Sequence, residues 1–324
     1  MSAPLAPIDL PAARRAFLES GDDRLLPIVD AHHHFWDLVR NPHPWLQTLP
    51  RIPFRYGDYE AICRDWLPGD HAAAAMPHKL VRSVLMEGEW DSSDPTGEAR
   101  WVQDLAERHG TPHAMAAQAW LDRDDLPEVL AAYRALPLVR SVRHKPRCAA
   151  SREQHREDWA PPGSMRCARW RDGYARLAGA GLMFELQAPW WHAAEAVELA
   201  RDFPQTTIIV NHAALPSQRD AESLAAWARA VSRLADCSNV YMKISGLGVP
   251  GRAWTAELQR PVVEVLLAAF GTDRCMFASN YPVDSLTGDL SIIFGVFKTL
   301  TRHLEPGARL ALFCDNAARL YRLS

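Results

Sequence analysis

The sequence predicts an α/β chain folded as one TIM-like (β/α)8 barrel. From residue 26 onward, eight short apolar runs alternate with stretches of helical spacing, the pattern of a parallel sheet wrapped by helices. Nearly every apolar run also closes on side chains able to do chemistry, as expected where all strands end at one face. An open, doubly wound sheet is the runner-up, and the absence of a Gly-x-Gly-x-x-Gly turn after the first run counts against it. The 324 residues, 48% of them hydrophobic, suffice for one large core, and barrels of this length run as a single domain.

Residues 1–25 are rich in Pro and Ala, lack the apolar core of an export signal, and read as a loose arm with one short helix before a barrel over 26–324. Strand one, 26–34, opens apolar and ends Asp30-Ala31-His32-His33-His34; alternation puts His32 and His34 on one face and His33 on the other. Strand two, 80–87, delivers Glu87 and is followed by a helix over 98–108 with Gly110 as its C-cap. Strand three is 113–120 and the next helix 126–136. Strand four, 138–144, ends in Arg143 and His144, with Lys145 next. Strand five, 182–187, carries Glu185 and Gln187 on one face, between helices at 169–178 and 193–202. Strand six, 206–212, delivers Asn211 and His212; after a helix at 221–235, strand seven, 239–245, delivers Lys243 and Ser245. A helix at 258–270 leads to strand eight, 274–279, with Ser279, Asn280 and then Tyr281-Pro282-Val283-Asp284 at its end. The long connections, 35–79 and 145–168, both follow strands and are expected to rise over the C-terminal face, where barrels keep their sites.

A net charge of -3 with interspersed signs offers nucleic acid no basic patch, and no apolar run approaches the length of a membrane span. The expected partner is a small-molecule substrate, and no patch assigns an oligomeric state. Cys63, Cys148, Cys167, Cys237, Cys275 and Cys314 form no Cys-x-x-Cys pair, which fits a reducing cytoplasm better than a disulfide or zinc framework. Trp36, Trp45 and Trp90 are placed to wall a pocket or to pack the core. His71, His78, His109, His113, His155, His192 and His303 fall mostly in loops or helices, and most of them are expected to face solvent.

The set His32-x-His34, Asn211-His212, Lys243-x-Ser245-Gly246 and Phe277-Ala278-Ser279-Asn280-Tyr281-Pro282 resembles the amidohydrolase superfamily. Its nearest branch holds sugar-acid lactonases and 2-pyrone-4,6-dicarboxylate lactonase, and the likeness runs over residues 26–322. The resemblance implies water attack on a lactone or ester-like carbonyl at the barrel mouth. It assigns catalytic roles to His32, His34 and His212 and substrate binding to Arg143, whose planar fork suits a carboxylate. Glu87, His144, Gln187, Lys243 and Ser245 join the expected substrate-binding set. His32, His34 and His212 are also the expected ligands of a divalent metal, zinc by preference, if one is bound; metal-independent chemistry is the alternative.

Two departures qualify the resemblance. The superfamily closes strand eight with an Asp that deprotonates the attacking water; here Asn280 stands there, and an amide cannot take that proton. Asp284 is the nearest carboxylate in sequence, with Glu87, Glu185 and the histidines as competitors for the base; a first-turn acid or N-cap of the helix near Leu290 is the favoured role for Asp284 itself. On strand five, Glu185 and Gln187 stand where metal-dependent relatives often carry a ligand His. The leading expectation is a lactone hydrolase; the alternatives are a metal-dependent decarboxylase of the same superfamily and a catalytically silent binding barrel.

Overall fold

The structure, a computed structural model, describes residues 8–323. Strands β1 (Pro27–His33), β2 (Lys79–Met86), β3 (Ala114–Gln118), β4 (Val139–Arg143), β5 (Met183–Leu186), β6 (Ile208–Val210), β7 (Val240–Ile244) and β8 (Cys275–Phe277) pair in sequence order. Every pairing is parallel. Between β8 and β1 the sheet closes through two peptide hydrogen bonds, Asn280 N–H to the His32 carbonyl at 2.7 Å and His34 N–H to the Tyr281 carbonyl at 2.8 Å. This is the predicted (β/α)8 barrel.

All eight expected strands form, seven of them a little shorter than the apolar run suggests and β2 displaced by one residue at the same length. His34, Glu87, His144, Gln187, Asn211 and Ser245 each follow the C-terminal end of a strand, at the mouth end of the barrel. With helices on one side and the barrel interior on the other, every residue of β1, β3, β6 and β8 is buried, so these strands read as continuous rather than alternating apolar runs. The surrounding helices follow their signals closely. Asp220 and Thr255 cap the helices Ala221–Ala235 and Ala256–Phe270 by accepting from Ser223 N–H and Leu258 N–H, and Gly110 ends Gly97–His109 at φ 72°.

Two expectations are corrected. The described part of the N-terminal segment is not loose: helix Leu10–Ser20 buries Leu10, Ala13 and Phe17 and is tied down by Arg14 to Asp315. Residues 1–7 of the expected arm lie outside the described residues. Nor do all the unassigned histidines face solvent. His71 is buried, stacked on His33 with its Nε2 3.3 Å from the Asp30 carboxylate, and His192 is buried against Glu195.

Inside the barrel, directly below the mouth, Glu185 gathers four donors. Lys243 Nζ lies at 2.9 Å, Asn211 Nδ2 at 2.7 Å and Ser141 Oγ at 3.2 Å, with the Tyr321 hydroxyl as the fourth. Burying a carboxylate is tolerable only with this degree of pairing. The network forms a rigid polar floor on which the mouth residues stand.

Candidate active site

Alternation along β1 and the turn that ends it send His32 and His34 to the same side, while β6 delivers His212 beside them. Ring centroids are 5.3 Å apart for His32 and His34 and 4.4 Å for His32 and His212. The His34 Nδ1 lies 3.0 Å from the Met86 carbonyl. A carbonyl only accepts, so Nδ1 carries the proton and Nε2 presents a lone pair. The His212 Nδ1 pairs with Ser245 Oγ at 3.0 Å, and neither nitrogen of buried His32 has a protein partner. Burial, followed by the charge of Arg143, presses His34 down to about 3. Burial also holds His32 and His212 well below the ordinary imidazole value, reinforced by neighbouring His212 for the first and Arg55 for the second. All three rings are therefore neutral at pH 7, each with one nitrogen able to accept a hydrogen bond.

His212 is held by an unusual backbone. His212, Ala213, Ala214 and Leu215 all have φ between 54° and 59°, in the left-handed region that costs non-glycine residues about 1–2 kcal/mol each. Trp227 secures the turn by donating Nε1–H to the Ala213 carbonyl at 2.7 Å. Gly246, at φ 61°, packs against the ring: a Cβ there would sit 2.5 Å from His212 Nδ1. Strain collected at one functional side chain is typical of a site held in place by its surroundings.

His34 and His212 face a cleft of about 300 Å³ together with Trp45, Phe54, Arg55, Lys145 and Asn280. An adjoining recess of about 380 Å³ shares Trp45, Arg143 and Lys145 and continues to Trp90 and Trp120. A larger cavity of about 600 Å³ lies at the other end of the barrel, along Leu80, Val81 and Thr111, away from the converging strand ends. Size does not decide here; the mouth holds the convergent polar groups.

Arg143 sits on the cleft wall with its Nε donating to Glu87 Oε1 at 2.5 Å, Nη1 to Gln187 Oε1 at 3.0 Å and Nη2 to the Glu87 carbonyl at 2.6 Å. Burial alone would raise the Glu87 carboxyl, but Arg143 and Lys145 outweigh it and keep it below its ordinary value. Lys145 pairs with Glu89.

Asn280, at φ 56°, donates Nδ2–H to Asp284 Oδ1 at 2.6 Å, which turns its carbonyl oxygen towards the cleft. The Tyr56 hydroxyl donates to the same Oδ1 at 2.9 Å, and Arg55 Nη2 lies 3.9 Å away. Burial pushes the Asp284 carboxyl up to about 6 against the pull of Arg55, Asn280 and Tyr56.

The structure thus brings His32, His34, His212, Glu87, Arg143, Gln187 and Asn280 to the mouth, with Asp284 directly behind Asn280. Asp284 is not the first-turn acid of the helix at Leu290: it lies fully buried in the turn Val283–Leu286, and Asp289 precedes that helix. His144 projects from the opposite side of its strand, where Nδ1 accepts from Leu121 N–H and Trp170 Nε1–H, both at 3.0 Å; it edges the recess, not the histidine cleft. Lys243 belongs to the floor and Ser245 to His212, so neither lines the cleft. Sequence reasoning missed Arg55 and Tyr56, and it placed Lys145 at its strand end without giving it a role. Lys145 shares its parity with Arg143, and that alternation was the available signal; the course of the connection carrying Arg55 and Tyr56 gave none.

As possible metal ligands, the three imidazoles have the right chemistry: a fixed Nε2 lone pair on His34 and orphaned nitrogens on His32. Among the described residues, the only His, Cys, Asp or Glu group with ligand atoms all within 4.8 Å of one another is His155, His192 and Glu195, outside the cleft. The mouth rings converge, with His34 and His212 centroids 5.3 Å and 4.4 Å from that of His32, and these three are the side chains that would hold a divalent ion.

Residues 29–323 match the family model described as amidohydrolase. The chain is 39% identical to the uncharacterised protein y4mH of Sinorhizobium fredii over 92% of this chain and 99% of that protein. It is 28% identical to an L-fucono-1,5-lactonase of Burkholderia ambifaria, over 91% of this chain and 95% of the relative. A crystal structure of an amidohydrolase from Burkholderia multivorans with bound zinc superposes with a TM-score of 0.75 at 22% identity, covering 92% of this chain and 99% of that one.

Proposed function

Because the chain belongs to the amidohydrolase family, we propose that it hydrolyses a small lactone bearing carboxylate or hydroxyl groups. The observation that carries this reading is the pair of neutral imidazoles, His34 and His212, on one small cleft walled by cations. The lactonase name of the Burkholderia ambifaria relative supports the same bond type.

In this mechanism the substrate carbonyl faces His212. Ser245 donates its hydroxyl proton to His212 Nδ1, which leaves the ring's own proton on Nε2, directed at the carbonyl oxygen. Water is held by the Asn280 carbonyl oxygen and loses a proton to His34 Nε2 as its oxygen attacks the carbonyl carbon. The ring C–O bond then breaks, and the imidazolium of His34 returns the proton to the departing alkoxide. A low imidazole pKa favours that second transfer; an anion bound near Arg143 would ease the first by offsetting the charge that depresses it. The product is a hydroxy acid, which ionises and releases one proton to solvent.

The test is proton release from a panel of sugar-acid and dicarboxylate lactones, with spontaneous opening as baseline. Turnover should fall by about 10²-fold or more in His34→Ala and His212→Ala, judged from the worth of a general base and of a single oxyanion donor. Dialysis against a chelator separates the two cofactor readings: turnover is left intact if the imidazoles act alone and is lost if His32, His34 and His212 hold a divalent ion that would polarise the carbonyl. Absence of turnover on every lactone would overturn the proposal.

A further inference from the structure

Resting on the lactone reading, the charges around the cleft point to a particular class of substrate. Arg143, the expected carboxylate grip, has three of its five N–H groups committed to Glu87 and Gln187. Lys145 is matched by Glu89. Arg55 differs from both. Its guanidinium lies over the Tyr56 ring, 4.4 Å from the centroid, and donates a single hydrogen bond, Nη2 to the Tyr56 hydroxyl at 2.9 Å. The nearest carboxylate oxygen, Asp284 Oδ1 at 3.9 Å, already accepts from Asn280 and Tyr56. The Arg55 side chain is 26% exposed and lines the cleft beside His212 and Lys145.

Its seat is built into the backbone. A Cβ on Gly246 would lie 2.8 Å from Arg55 Nη2 as well as 2.5 Å from His212 Nδ1, so one glycine makes room for the guanidinium and the imidazole together. A cation with spare donors, stacked on an aromatic ring and fixed beside the reacting histidine, is suited to a planar anion reaching it from a substrate whose carbonyl is at His212.

We infer that Arg55 binds a second carboxylate of the substrate, remote from the lactone carbonyl, and that the enzyme therefore prefers lactones of diacids over the matching neutral lactones. Arg55 is the specificity-determining residue, with Tyr56 orienting its guanidinium.

The experiment compares glucaro-1,4-lactone with glucono-1,4-lactone, which differ at the remote end by a carboxylate in place of a hydroxymethyl group. The wild-type enzyme should favour the acid by tenfold or more in kcat/KM, chiefly through KM, in line with the worth of a charge-assisted hydrogen-bonded pair. R55Q should lose that preference, with its loss on the acid exceeding its loss on the neutral lactone by at least tenfold. R55K should recover part of it, because it restores the charge without the fork. Equal effects of R55Q on both lactones would overturn the inference. If neither lactone is opened, calorimetric binding of glucarate against gluconate to wild type and R55Q still decides the role of Arg55, while the hydrolase reading is judged separately on the full lactone panel. Loss of glucarate preference in R55Q would uphold it; an unchanged preference would overturn it.

Discussion

Replacing Gly246 with Ala tests the site with one methyl group. The backbone there has φ 61°, and the added Cβ would sit 2.5 Å from His212 Nδ1, 2.7 Å from its Cγ and 2.8 Å from Arg55 Nη2. Ordinary contact begins at 3.4 Å, so the imidazole must retreat by about 0.9 Å, the difference between those two distances. A displacement of about 1 Å at a reacting group costs on the order of 10²-fold in rate. The left-handed backbone adds about 1–2 kcal/mol of instability, a shift in Tm on the order of a few degrees. Gly251→Ala is the matched control: φ is 70°, but nothing lies within 4 Å of its added Cβ. Lactone kcat/KM and thermal unfolding should be measured on both variants. Both should lose a few degrees, and only Gly246→Ala should lose about 10²-fold in kcat/KM. Equal activity losses, or Gly246→Ala retaining activity within threefold of wild type, would refute the reasoning.

Lys243 and Glu185 are both fully buried and 2.9 Å apart, so Lys243→Met strands a carboxylate and should cost about 3–5 kcal/mol in urea unfolding. Adding Glu185→Gln should recover part of that loss; a strictly additive double variant would contradict the pairing. Asp284 has its folded carboxyl raised to about 6 from an ordinary 3.8, so its favourable contribution is complete below about pH 4 and is lost as pH rises through 6. Asp284→Asn should thus be more stable than wild type at pH 8, by at most about 3 kcal/mol for a shift of roughly two units, and should gain nothing at pH 4. Denaturation at both pH values checks this, and a variant less stable at pH 8 would contradict it.

The barrel was legible because β-strands covered on both faces must be continuously apolar, and a polar residue marks where each leaves the sheet. The same logic located His32, His34, His212, Arg143 and Asn280. It did not foresee that His144, adjacent to Arg143 in the chain, points to the opposite side of the strand, where Trp170 and Leu121 claim its Nδ1 and its ring edges the recess. Asp284 looked like a helix cap because sequence proximity to Leu290 was visible while the bond from Asn280, one turn back, was not. Arg55 and Tyr56 were invisible for a different reason. Their positions depend on how residues 34–78 fold back over the mouth, and that course is set by side-chain packing such as Trp45 on Phe54 and Tyr59, not by periodicity.

The hydrogen bonds that join the last strand to the first have a temporal consequence. Asn280 binds the peptide of His32, and Tyr281 binds that of His34, so the residues that would position the water become neighbours only when the two ends of the sheet meet. A chain still emerging from the ribosome, with 274–284 not yet released, has its first histidines but no partner for them. Catalysis therefore begins late in synthesis, and turnover by a growing or truncated chain would serve as a clock for the moment at which the cylinder shuts.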